Sequence, residues 1–84
     1  MKPLRFTDHA EARMARRGLQ RTWVEAAAHE PEWREPEPDD PTVERRFGRI
    51  EEAGGHILRV ACVETDAEIR VITAMFDRNA KATP

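Results

Sequence analysis

The chain has one cysteine, no serine, no tyrosine, four glycines and no long apolar run in its 84 residues. A single thiol, Cys62, excludes an intramolecular disulfide, and a secreted domain this small usually carries several. The expected address is therefore the cytoplasm. No zinc site is expected either, because His9, His29 and His56 show no ligand spacing around that thiol. Without serine there is no serine nucleophile, and no glycine loop has phosphate-binding spacing. The opening Met1-Lys2-Pro3-Leu4-Arg5-Phe6 lacks the apolar core of a signal peptide. The longest apolar stretch falls well short of the roughly 20 residues that span a bilayer. No cofactor is expected, and no membrane partner.

What the chain has is charge, and the charge is unevenly placed. The formal net value is −2. Residues 1–23 carry six Lys/Arg against two Asp/Glu, residues 24–44 one against eight, and residues 45–84 seven against six. A low net charge argues against a strongly basic nucleic-acid binder. A local cationic field is still enough to attract a polyanion to one face.

Periodicity predicts one α+β domain over 1–84, with two N-terminal helices packed on a three- to four-stranded antiparallel sheet. Thr7 reads as an N-cap with Asp8 and Glu11 in the first turn, Arg16-Arg17 in the last, and Gly18 as the left-handed stop. The first helix is expected over 8–17. Leu19, Trp23, Val24, Ala27 and Ala28 place one apolar stripe on a second helix over 20–29, capped by Gln20 or by the Thr22–Glu25 box. Pro31, Pro36, Pro38 and Pro41, among Glu32, Glu35, Glu37, Asp39 and Asp40, exclude a helix or a central strand. Residues 31–42 therefore read as a stiff acidic loop, held to the domain by Trp33. Alternation predicts strands over 43–50, 56–64 and 68–76, with Leu4–Phe6 as an edge strand or lead-in and 77–84 as a tail. Met14, Trp23, Val24, Leu58, Val60, Val71 and Ile72 are the expected core. Because the last strand is apolar on both sides, an interior position is expected for it.

His9, Arg13, Arg16 and Arg17 fall at i, i+4, i+7 and i+8, so they share one side of the first helix. That pattern fits either a solvated basic face or a phosphate site. Arginine forks grip phosphate oxygens, and a histidine moves a proton near neutral pH. The combination suits metal-free RNA cleavage. Arg46 and Arg59 extend the cationic set onto the strands.

The run Phe6-Thr7-Asp8-His9-Ala10-Glu11-Ala12-Arg13-Met14-Ala15-Arg16-Arg17-Gly18-Leu19 resembles the T-x-H-A-x-x-R-M-x-x-R-G-[IL] opening of domain-of-unknown-function family 4258. Val71-Ile72-Thr73-Ala74-Met75-Phe76 is similar to that family's closing strand. The family in turn resembles the RelE/ParE/BrnT-like toxin fold, in which many members cleave messenger RNA without metal. The resemblance implies a RelE-like fold and a toxin-type ribonuclease, or a non-catalytic protein- or nucleic-acid-binding module on the same fold. It implies an antitoxin partner and RNA or the ribosome as target. His9, Arg13 and Thr73 are the implied catalytic positions. Arg17 belongs to the R-G stop, and with Arg46 and Arg59 it is the expected RNA-binding set. A homodimer, in which loop 31–41 of one copy docks the first helix of the other, is a further expectation.

Overall fold

The computed structural model describes residues 1–80. Its elements run β1 (Leu4–Phe6), α1 (Asp8–Arg17), α2 (Arg21–His29), β2 (Trp33–Glu37), β3 (Asp40–Ile50), a 3-10 turn (Glu51–Ala53), β4 (His56–Glu64) and β5 (Ile69–Phe76). The architecture is α+β: two helices cover one face of a five-stranded mixed sheet ordered β1-β5-β4-β3-β2.

That sheet differs from the expected three- to four-stranded antiparallel one in two ways. Leu4–Phe6 pairs with β5, and the pairing is parallel. Trp33–Glu37, expected as loop, is an edge strand antiparallel to β3. Pro36 is tolerated there because an edge strand has one side on which no ladder hydrogen bond is owed. Of the expected tail 77–84, Asp77 continues the β4–β5 ladder by donating its N–H to Ile57 O at 2.9 Å, and a turn follows in which Ala80 N donates to Asp77 O at 3.3 Å; residues 81–84 lie outside the described residues.

The helices form for the reasons their ends suggest. Thr7 Oγ1 accepts from Ala10 N at 3.1 Å, the N-cap bond that satisfies a free first-turn donor. Gly18 ends α1 at φ 63°, and the turn closes with Leu19 N donating to Met14 O at 2.9 Å. The start of α2 is plainer than expected: Gln20 is the N-cap, with no side-chain cap bond. The apolar stripe of α2 lies close on the sheet. A Cβ added at Gly48 would meet Ala27 Cβ at 3.3 Å, so that pair of small residues sets the helix–sheet spacing.

Cross-strand partners share a face. Leu58, Val60 and Cys62 on β4 oppose Phe76, Ala74 and Val71 on β5, and this face meets the helices. Arg59, Ala61 and Val63 oppose Met75, Thr73 and Arg70 on the open face. Simple alternation would put Val71 and Ala74 on opposite faces. A bulge at Ala61/Cys62 gives β5 one extra residue, Ile72, and reverses the phase. That is why Ile72, expected in the core, is half-buried while Ala74 is fully buried. Trp23 is also half-buried, packed against Phe76 with ring centroids 6.0 Å apart. Met14, Val24, Leu58, Val60 and Val71 are buried as expected, and β5 takes the interior position between β1 and β4. Trp33 anchors β2 by stacking on Phe47, centroids 4.7 Å apart and planes within 4°.

One buried charge ties the layers together. Arg46 is 2% exposed. Its Nη1 donates to Ala28 O at the end of α2 (2.7 Å), Nε to Glu44 Oε1 (2.7 Å) and Nη2 to Glu64 Oε1 on β4 (2.5 Å). Lys2 also reaches Glu64, at 2.8 Å. These two cations hold the Glu64 carboxyl at about 2, below its usual 4.5, with the Lys2 bond the larger cause and the Arg46 bond next. A carboxylate whose folded pKa is depressed contributes its stability fully above the unfolded value. The contribution is lost as pH falls through the folded one. Glu64 is a third exposed, so solvent screens part of the effect. Thermal melts at decreasing pH should show the parent losing stability between pH 4.5 and about 2 more steeply than Glu64→Gln. Parallel curves for the two would contradict this.

Candidate functional site

Beyond the three residues paired with β1, the outer edge of β5 has no strand neighbour. Helix α1 occupies that edge. Thr7 N donates to Val71 O at 3.1 Å and Thr7 Oγ1 approaches Ile72 O at 3.4 Å, while Arg17 Nη1 donates to Ala74 O at 2.7 Å. Thr7 and Arg17 bracket the helix, and the carbonyls they use bracket Thr73. The threonine that opens the motif and the arginine of its R-G stop therefore serve as fasteners. Ala10 and Met14 between them are buried in the core.

Two motif residues are left without such a role. His9 is exposed and Arg13 half-buried, and neither has a side-chain partner among the described residues. Helical geometry places them. With about 100° per residue, Glu11 lies to one side of Ala10, and His9, Arg13 and Arg16 lie to the other. Glu11 receives Arg21 from the start of α2 at 2.6 Å, and that guanidinium covers the Phe6 ring at 4.2 Å. The Glu11 flank therefore faces α2, and the His9–Arg13–Arg16 flank turns away from it.

Six arginines meet no carboxylate among the described residues: Arg49, Arg70 and Arg78, scattered over β3, β5 and the segment after it, and three that stand together on this flank. Lys2, Arg5, Arg21, Arg34, Arg45, Arg46 and Arg59 each meet a carboxylate within 3.4 Å. Among the described residues Arg13, Arg16 and Arg17 meet none; the bond from Arg17 goes to a neutral carbonyl, so its charge is not cancelled. The helix dipole does not neutralise them either, although Arg16 and Arg17 at the C-terminal end are favourably placed. Three uncompensated guanidinium groups and an imidazole thus share one side of a ten-residue helix.

The remaining expected residues are placed as follows. Thr73 is half-buried on the open face opposite Ala61, at the edge that α1 grips. Arg46 does not belong to this surface: it points into the helix side of the sheet and is committed to three acceptors. Counting alternate positions from Val43 puts Arg46 on the opposite side from Arg45 and Phe47, and the structure shows that this side is the buried one. Arg59 lies on the open face but is tied to Asp77 Oδ2 (2.9 Å) and Met75 Sδ (2.9 Å), so its charge is spent within the fold. Of the cationic set expected on helix and strands, the α1 arginines are thus the members without a carboxylate among the described residues. Arg16, at i+7 from His9, joins this flank, although the resemblance implies no role for it.

Among the described residues no three His, Cys, Asp or Glu side chains are grouped to hold a metal ion. Cys62 is buried, and burial pushes its thiol up to about 11 despite the nearby Arg46, so it stays protonated at neutral pH.

The division of the motif has a direct consequence for stability. Arg17→Ala strands a strand-edge carbonyl and releases the end of α1, at a cost of about 1–3 kcal/mol. His9→Ala and Arg13→Ala remove side chains with no fold partner and should stay within about 0.5 kcal/mol of the parent. Urea unfolding midpoints of the three variants check this; a loss at Arg13 as large as that at Arg17 would make the whole motif structural.

No curated protein and no solved structure matches the chain. No helix among the described residues is long and apolar enough to cross a membrane. One family model does match, over residues 6–76, from the start of the α1 motif to the end of β5. By that match, the chain belongs to the family described as domain of unknown function (DUF4258).

Proposed function

We propose that the α1 edge is a site for single-stranded RNA, and that the protein is a metal-independent ribonuclease of the RelE-like, toxin–antitoxin type. The observation that carries this reading is the uncompensated Arg13–Arg16–Arg17 flank with His9 on the same side. A phosphodiester brings the negative charge that the fold does not supply there. Guanidinium forks pair with phosphate oxygens bidentately and stabilise the charge that develops as the neighbouring 2′-hydroxyl attacks phosphorus. His9 would exchange the proton, being the imidazole on that flank. Thr73 would add a hydroxyl beside the scissile phosphate from the strand that α1 grips.

A specific observation also favours the second reading, a binding module without catalysis. His9 has no hydrogen-bond partner among the described residues to orient its ring, whereas catalytic histidines are usually held by one. In that reading the same flank holds phosphate and performs no chemistry. An antitoxin-type partner would cover this edge in either case.

The test is cleavage of a labelled single-stranded RNA, with and without ribosomes. His9→Ala should lower the rate by roughly 10²–10⁴-fold and Arg13→Ala by a comparable factor. Affinity should fall with salt at a log–log slope of about −0.7 per phosphate contacted. Salt-dependent binding without cleavage would leave the binding module. Absence of both would remove RNA from the account.

A further inference from the structure

The two charged poles of the sequence lie at opposite edges of one sheet. The acidic segment forms β2 and the turn into β3, at the edge farthest from α1. Three strand spacings separate β2 from β5, about 14 Å of sheet. At ordinary salt that exceeds the screening length of about 10 Å, so the poles do not neutralise each other within one chain.

We propose that they neutralise each other between chains: two copies associate side by side in opposite orientation, the acidic β2–β3 edge of each meeting the cationic flank of α1 of the other. The occupant of each edge is a second copy, and the argument is charge complementarity. On the acidic side Glu35 and Asp39 are exposed and lie in no ion pair among the described residues, whereas Glu37 is consumed by Arg45. Asp40 stays ionised, because the Thr42 hydroxyl and N–H hold its carboxyl below the ordinary value, but it is engaged in shaping the turn. On the cationic side stand Arg13 and Arg16. A net charge of −2 leaves little overall repulsion to oppose the contact.

Strand-to-strand growth is blocked at this edge. Pro36 offers no N–H, so β2 is a poor template for a further strand and the contact is between side chains. The opposed orientation makes both contacts at once and closes the pair, whereas a head-to-tail arrangement would leave one pole free at each end and propagate. The inference does not rest on the RNA reading, although a paired copy and an RNA strand would compete for the α1 flank.

Sedimentation velocity tests it at about 0.02 M and about 0.5 M salt, where the screening length is roughly 20 Å and roughly 4 Å. The parent should sediment with the mass of two copies at low salt and of one at high salt. Arg13→Glu/Arg16→Glu alone, and Glu35→Lys/Asp39→Lys alone, should each remain single at low salt, since both poles then carry one sign. Mixed in equal amounts, the two variants should associate again as pairs. Circular dichroism of each variant confirms that it is folded. A single-copy parent at low salt, a mass that grows beyond two, or a mixture that fails to associate would each overturn the proposal.

Discussion

The free edge of β5 is the constraint on which the rest depends. A strand that leaves the shelter of β1 after three residues exposes carbonyls that must find donors or water. Helix α1 meets that need from both ends, with the Thr7 backbone and hydroxyl at Val71 and Ile72 and the Arg17 guanidinium at Ala74. Once the helix is fixed there, its remaining flank has a fixed direction. Arg13 and Arg16 are then presented by a rigid element, as a binding or catalytic group requires.

The same economy explains why most other arginines are not available. On the helix side, Arg46 joins the end of α2 to β3 and β4, with the carboxylates of Glu44 and Glu64 at the rim. On the open side, Arg45 takes Glu37 in two parallel bonds and Arg59 holds Asp77, fastening β2 and the segment after β5. A small domain with a thin core uses these pairs as ties between layers and edges. The pattern at α1 stands out against this, since three of the six arginines without a carboxylate among the described residues share one helix.

Much of the fold was legible because it follows from local rules. Thr7, Gly18 and the Ala10/Met14 spacing define α1, and the three long strands appear near their expected bounds. What escaped was long-range. The parallel pairing of Leu4–Phe6 depends on a strand some 65 residues later, and no local pattern encodes it. Four prolines hid β2, because edge strands tolerate what central strands do not. The Ile72 bulge defeated simple alternation and exchanged Ile72 for Ala74 in the core. The site was half legible: helical spacing put His9, Arg13 and the following arginines together. Strand alternation cannot tell which face of β3 the helices cover, so it leaves Arg46 among the free cations, whereas the structure buries it most deeply of them.

The central proposal is that the flank of α1, with Thr73 on the strand it grips, meets RNA phosphate, and that the Trp33–Phe47 side of the sheet does not. The most direct measurement is a nuclear magnetic resonance titration of the labelled protein with a short single-stranded oligoribonucleotide, following backbone amides and arginine Nε–H signals. The account predicts shifts at His9, Arg13, Arg16 and Thr73, with the Nε–H signals of Arg46 and Arg45 unmoved in their ion pairs. Shifts centred on Trp33, Phe47 and Arg59, with α1 silent, would contradict it.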